Sequence, residues 1–133
     1  MTGFGRLEVL VHVRRGDEFL VLRRDEAKGG YWHAVAGGVE DGEDWRTAAL
    51  RELQEETGLT AADVREIGRF QYAREAWERS PGMRVDVRAY AADAPRGWEP
   101  TLDGEHEIYR WCSLEQAESL LRFPEPRELL RKI

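Results

Sequence analysis

Short apolar runs alternate with polar loops along the chain, and their periods predict its elements. Residues 7–13, LEVLVHV, are rich in apolar and β-branched side chains; Arg15-Gly16-Asp17 reads as a turn, and a second apolar run covers residues 19–22. The pattern predicts a β-hairpin or a closely connected strand pair. Residues 23–30 read as a polar loop, and residues 32–36 as a short strand leading into a close turn at Gly37-Gly38. From 43 to 57 nearly every residue is a good helix former, and Gly58 is the expected stop. On that helix Leu50 and Leu53 share an arc that can face a sheet, while Glu52, Glu55 and Glu56 fall within another of about 100°. Strands are expected at 64–73 and 83–91, separated by the irregular EAWERSPG, and a long loop, AADAPRGWEPTLDG, precedes a strand at 108–112. Ser113 is a good N-cap for the helix SLEQAESLL, and a last short helix is expected near Pro126, where proline suits the first turn. Strands and helices mix without repeats, which predicts a single α+β domain over residues 1–133, a mixed sheet sandwiched between helices.

Composition narrows the class. The 133 residues are 41% apolar and 35% charged, a balance that suits one soluble domain, and no apolar run approaches the ~18 residues of a membrane helix. The start, MTGFGRLEVLVHV, lacks the order of a signal peptide, and the single cysteine, Cys112, excludes an internal disulfide. A cytoplasmic protein without a membrane partner, a monomer or homodimer, is therefore the expectation.

Charge is concentrated. Of the net charge of −6, a local balance of −5 falls between Gly37 and Leu59, where Glu40, Asp41, Glu43, Asp44, Glu52, Glu55 and Glu56 face only Arg46 and Arg51. No basic stripe of the kind that grips a nucleic acid is present, so nucleic acid is not the expected partner. An anionic partner would require cations in between.

The glutamate arc suggests which cations. Mg²⁺ takes oxygen ligands and is usually held by a few carboxylates together with substrate phosphates. Carboxylates at i, i+3 and i+4 present such ligands from one rigid surface, and a cation relieves their mutual repulsion. A solvated helix face is the plain alternative, but the neighbours argue against it. Gly37, Glu43, Arg51, Glu52, Leu53, Glu55, Glu56, Gly58 and Leu59 satisfy G-x5-E-x7-R-E-U-x-E-E-x-G-U, with U a bulky aliphatic residue, at every specified position. By average residue usage such a match arises by chance on the order of 10⁻⁸ to 10⁻⁷ of the time.

This segment, residues 37–59, is the Nudix box, and the chain resembles the Nudix hydrolases, the MutT-like family. The resemblance implies a loop-helix-loop on a mixed sheet between helices, and Mg²⁺-dependent hydrolysis, with Mn²⁺ an acceptable substitute, of a nucleoside diphosphate linked to another group. Glu52 and Glu56, one turn apart, are the leading metal ligands, with Glu55 a further ligand or a water-positioning base. Gly37 and Gly38 would let the backbone approach metal or phosphate. Arg51 is expected to pair with a motif carboxylate and fix its rotamer. Glu43 is a helix-terminal anion or an outer partner of the metal. RRDEAKGGYWHAVAGGVEDGE and GEHEIYRWCSLEQAESL are also similar to the branch containing bacterial dihydroneopterin triphosphate pyrophosphatases. In that branch the glutamate directly before the histidine belongs to the metal site, which falls here on Glu105; His106 reads as structural. Ala36 stands where oxidised-nucleotide triphosphatases commonly carry proline, which argues against that activity.

Arg23 and Arg24, closing an apolar strand, are candidates for substrate phosphates, and Trp32 and Trp77 for stacking on a base. The expected reaction is Mg²⁺-dependent hydrolysis of a nucleoside triphosphate or a related, pterin-type pyrophosphate. Rival substrates are dinucleoside polyphosphates, nucleotide sugars and ADP-ribose. A nucleotide-sensing module without catalysis is the rival from another class.

Overall fold

A computed structural model describes residues 5–61, 63–74 and 80–133. The strands are β1 (Arg6–Arg15), β2 (Glu18–Arg24), β3 (Trp32–His33), β4 (Val35–Gly38), β5 (Arg65–Ala73), β6 (Arg84–Asp93) and β7 (His106–Cys112), and the helices α1 (Trp45–Thr57), α2 (Leu114–Leu120) and α3 (Pro124–Leu129). One mixed sheet runs β3-β2-β1-β6-β5, with β4 also paired to β1 and β7 to β2. β1 lies parallel to β6 and antiparallel to β2 and β4.

Alternation along the strands sorts side chains onto the two faces. Val9, Val11 and Val13 of β1, with Leu20 and Leu22 of β2, meet Ala48, Ala49 and Leu53 of α1. The intervening residues face the other way. Phe19 and Val21 pack with Cys112, Ala117 and Leu130, and Leu10 packs with Val85, Val87 and Ala89, beside Phe70, Tyr72 and Leu129. The sheet is thus covered by α1 on one side and by the α2–α3 segment on the other. Leu53 is fully buried at the centre of the first core, a placement worth about 1.5–3 kcal/mol for a side chain of its kind.

Several boundaries differ from the pattern-based expectation for local reasons. The helix begins at Trp45 because Asp44 is its N-cap, accepting from the Thr47 amide at 2.7 Å; Glu43 instead accepts from the Glu40 amide at 3.1 Å. The strand expected at 32–36 is split at Ala34, because Trp32 and His33 pair with β2 whereas Val35–Gly38 pair with β1. Gly37 and Gly38 are therefore not a turn but the end of β4, opposite Val9 and Glu8; the turn comes later, at Gly42, with φ of 78°. Within the expected loop 23–30, Asp25 caps a 3-10 turn over Glu26–Lys28. β7 starts at His106, paired with Arg24 across a bulge.

Candidate active site

The carboxylates of α1 do not share one environment. Glu56 is buried at 2% exposure, Glu52 is half-buried and Glu55 is exposed. Leu53, at the centre of the helix's inner face, sets this rotation by pointing into the core, so Glu56 is drawn inward with it. Glu56 Oε1 accepts from the Ala36 amide of β4 at 3.4 Å. Burial first, and then the neighbouring Glu52 carboxylate, push the Glu56 pKa far above the usual carboxylate range.

Glu52 lies against the backbone of Gly37, where a Cβ would overlap its carboxylate. The reason for glycine here is close approach. Gly38, next along, turns the other way, so a Cβ there would meet only the guanidinium of half-exposed Arg6.

Arg51 organises the acidic side. It donates to both Glu43 oxygens at 2.8 and 2.9 Å, to Glu52 Oε1 at 2.8 Å, to Glu55 Oε2 at 3.2 Å and to the Gly38 carbonyl at 2.8 Å. The hydrogen bonds to Glu43 are the main reason the guanidinium pKa rises, and the same bonds pull that of Glu43 down. One side chain thus ties the segment before α1, the end of β4 and two helix glutamates into a single network.

A second group reaches the same place from the far end of the chain. The loop between β6 and β7 is fastened by the Thr101 amide donating to Thr57 O at 2.8 Å, and by Arg15, which donates to Trp98 O at 2.7 Å and stacks on the Trp111 ring at 4.0 Å. This delivers Asp103, Glu105 and His106. His106 is buried; its Nδ1 donates to Asp103 Oδ1 at 2.8 Å, and its Nε2, without a hydrogen-bond partner, lies 3.7 Å from Glu56 Oε1. Glu105 is half exposed, 4.0 Å from Lys28 Nζ, and its carbonyl accepts from the Asp25 amide.

A cleft of about 860 Å³ lies beside these groups, on the sheet face away from α1. Gly37 and Glu105 reach its wall, with Arg24, Lys28 and His33 near them and Glu8, Tyr72 and Arg74 further along. Of the residues nominated from the sequence, the cleft therefore gathers Arg24, Gly37 and Glu105, with Glu52 and Glu56 adjoining Gly37 and Ala36. Arg23 is instead paired with Glu107 at 2.6 Å, outside the cleft lining. Trp32 packs beside the Phe19–Val21–Leu121 core, under Arg110 at 5.1 Å, and does not line the cleft either. Trp77 lies outside the described residues. Sequence spacing did not mark Asp103, Lys28, Glu8 and Tyr72, which belong to no contiguous motif; it read His106 as structural, and the ring is buried on Asp103 and beside Glu56.

The donor set fits a hard divalent cation. A buried carboxylate beside a second carboxylate is costly unless a proton or cation neutralises it. Glu52 and Glu56 form such a pair, and the carbonyl-bearing backbone at Gly37 is kept bare for close approach. Among the described residues no three histidine, cysteine or acidic side chains already converge as a ligand cluster, since Arg51 holds Glu52 and Glu55. No helix among the described residues is long and apolar enough to cross a membrane.

Comparison with known proteins agrees with this geometry. The NUDIX domain family matches residues 5–133. The chain belongs to the Nudix hydrolase family. It is 33% identical over 120 residues to an octanoyltransferase of Myxococcus xanthus, covering 89% of this chain but only 33% of that protein, so it spans about a third of that relative's length. It is 33% identical over 122 residues to the asymmetrical bis(5′-nucleosyl)-tetraphosphatase of Sus scrofa, covering 86% of this chain and 77% of that protein. The fold superposes on the E. coli dihydroneopterin triphosphate pyrophosphohydrolase with a TM-score of 0.85 and 22% identity, covering 96% of this chain and 93% of that one.

Proposed function

We propose that this chain hydrolyses the pyrophosphate linkage of a nucleoside triphosphate or related organic pyrophosphate in a Mg²⁺-dependent reaction. The observation that carries the reading is the Glu52–Glu56 pair, held over Gly37 at the edge of a large cleft by Arg51 on one side and abutted by His106 on the other. Glu52, Glu56 and the Gly37 backbone would hold Mg²⁺, which when bound supplies charge neutralisation for the pyrophosphate and acidifies a water.

The protein's own groups divide the remaining work. Arg51 fixes the Glu52 carboxylate, so its direction does not depend on a flexible rotamer. Arg24 and Lys28, at the cleft wall, attract the phosphate chain into a site whose helix side is acidic. Glu55 and Glu105 are both exposed to solvent, which suits the group that takes the proton from the attacking water. Dinucleoside polyphosphate hydrolysis is the second reading, favoured by the similarity to the Sus scrofa tetraphosphatase.

The test is a Mg²⁺-containing panel of nucleoside triphosphates, dihydroneopterin triphosphate, nucleotide sugars and dinucleoside polyphosphates, with products identified by mass spectrometry and attack located with ¹⁸O water. Metal-dependent cleavage of a triphosphate is the expected result. Inert triphosphates alongside cleaved dinucleoside polyphosphates would transfer the reading to the second class. No cleavage of any member would make the chain a nucleotide-sensing module.

A further inference from the structure

The far part of the cleft contains a carboxylate that the hydrolytic chemistry does not use. Glu8, on β1, stands opposite Gly38 of β4, so its side chain lies on the cleft face, while Val9 beside it packs under α1. Its side chain is 15% exposed and is held in place from two strands. Tyr72 Oη donates to Oε1 at 2.8 Å, Arg6 Nε donates to Oε2 at 2.8 Å, and Arg74 Nη2 lies 3.8 Å from Oε2. Such a network fixes the plane of the carboxylate.

An ionised carboxylate has about four lone-pair sites, so two hydrogen bonds and one longer ion pair leave acceptor capacity facing the cleft. Phe70 and Tyr72, two residues apart on β5, form a wall beside it, with ring centroids 6.4 Å apart and planes inclined by 33°. Cationic Arg24 and Lys28 lie toward the other side of Gly37, near Tyr31 and Glu105. Both ends of the cleft therefore mix charges: Glu8 with Arg6 and Arg74 beside the Phe70 and Tyr72 rings on one side of the Gly37 lip, and Arg24 and Lys28 with Glu105 on the other. With the phosphate chain at the Gly37 lip and toward Arg24 and Lys28, the Phe70–Tyr72 wall is left for a ring, and the Glu8 carboxylate beside it favours a ring that donates hydrogen bonds.

We propose that Glu8 is a specificity-determining residue that reads the adjacent ring N–H and exocyclic amino group of a 2-amino-4-oxopyrimidine edge, the edge shared by guanine and pterins. Two parallel N–H donors match two carboxylate acceptors, as in a bidentate guanidinium pair. Adenine presents a ring lone pair beside its amino group, which the carboxylate repels, and hypoxanthine keeps the ring N–H but lacks the amino group. The proposal rests on the hydrolytic reading for the placement of the phosphates. Tyr72 is a positioning residue, acting through its hydrogen bond to Glu8.

The experiment compares GTP, ITP and dihydroneopterin triphosphate as substrates of the wild-type protein and of Glu8→Gln, with GMP and IMP binding measured calorimetrically in parallel. Losing one amino hydrogen bond to a charged acceptor corresponds to about 10- to 100-fold, so wild-type kcat/KM should favour GTP over ITP by about that factor. Glu8→Gln should reduce this ratio by about tenfold, and GMP over IMP affinity should shift in the same direction. Because both ratios are taken within one protein, partial misfolding cancels. GTP and dihydroneopterin triphosphate, each compared with ITP, separate the guanine and pterin sources of the shared edge. Hydrolysis that proceeds with a GTP to ITP ratio unchanged by Glu8→Gln would overturn the proposal and leave the hydrolytic reading standing. A GMP preference lost in Glu8→Gln without hydrolysis of any triphosphate would do the reverse.

Discussion

The two faces of β1 carry different kinds of information. On the α1 face, Glu52 rests against the bare backbone of Gly37, and the glutamates with the Arg51 that ties them all come from within residues 37–59, with only His106 reaching Glu56 from outside. On the cleft face, Glu8 is joined to Tyr72, 64 residues away, and to Arg74. Bond-making chemistry tolerates little variation in geometry, and the residues proposed for it sit on one rigid helix. The proposed recognition of the rest of the substrate is assembled from strand ends and loops that share only a sheet face.

Neighbouring glycines offer the sharpest way to break this contrast. Gly37→Ala pushes a methyl group into the Glu52 carboxylate that Arg51 holds, whereas Gly38→Ala displaces only the half-exposed Arg6 guanidinium. A displacement of about 1 Å at a reacting group costs on the order of 10²-fold, so kcat/KM of Gly37→Ala should fall by about that factor, and Gly38→Ala should retain most activity. Equal losses in steady-state assays would show that the two faces are not separately constrained.

Arg51→Ala removes a group that touches Glu52, a carboxylate proposed to hold the metal. Its effect should appear as a Mg²⁺ requirement raised by about 10- to 100-fold in activity titrations. An unchanged Mg²⁺ dependence would reduce the network around Arg51 to scaffolding.

A smaller effect concerns the cleft side of the core. His12 is fully buried with Nε2 donating to Pro126 O at 2.9 Å, and burial lowers its pKa from 6.5 to about 4. The folded state keeps the ring neutral while the unfolded chain takes up a proton below about 6.5. This group therefore leaves stability untouched above pH 6.5, erodes it as pH falls toward about 4, and erodes it no further below. The whole decline amounts to roughly 3 kcal/mol. His12→Gln should flatten this part of a melting-temperature profile measured between pH 7 and pH 4; an equally steep profile would assign the acid sensitivity elsewhere.

What was legible in the sequence follows the same division. The helix, its Gly58 stop and the pairing of Arg51 with a motif carboxylate were readable because helix formers run unbroken up to the glycine and the Glu43 partner, eight residues before Arg51, lies at the helix entry. The strand order was not, since β4 lies beside β1 and β1 beside β6 through pairings that no local pattern encodes. The sequence set Glu52 and Glu56 ahead of Glu55 but could not give their burial: Leu53 turns inward, carrying Glu56 into the core and leaving Glu55 in solvent. Trp32 looked like a stacking ring, yet its strand turns it into the second core. His106 read as structural; that its buried ring also lies beside Glu56 was not visible, because Glu56 comes from a distant segment.

The separation of Glu56 from Glu55 also supplies the most direct test of the proposed chemistry. Turnover of Glu56→Gln and Glu55→Gln should be measured side by side at saturating Mg²⁺ on whichever pyrophosphate the wild-type protein cleaves best. The buried residue, as a metal ligand, should lose at least ~10²-fold in kcat while the exposed one loses distinctly less. Near-wild-type turnover of Glu56→Gln would contradict the assignment of the Glu52–Glu56 pair as the seat of the metal.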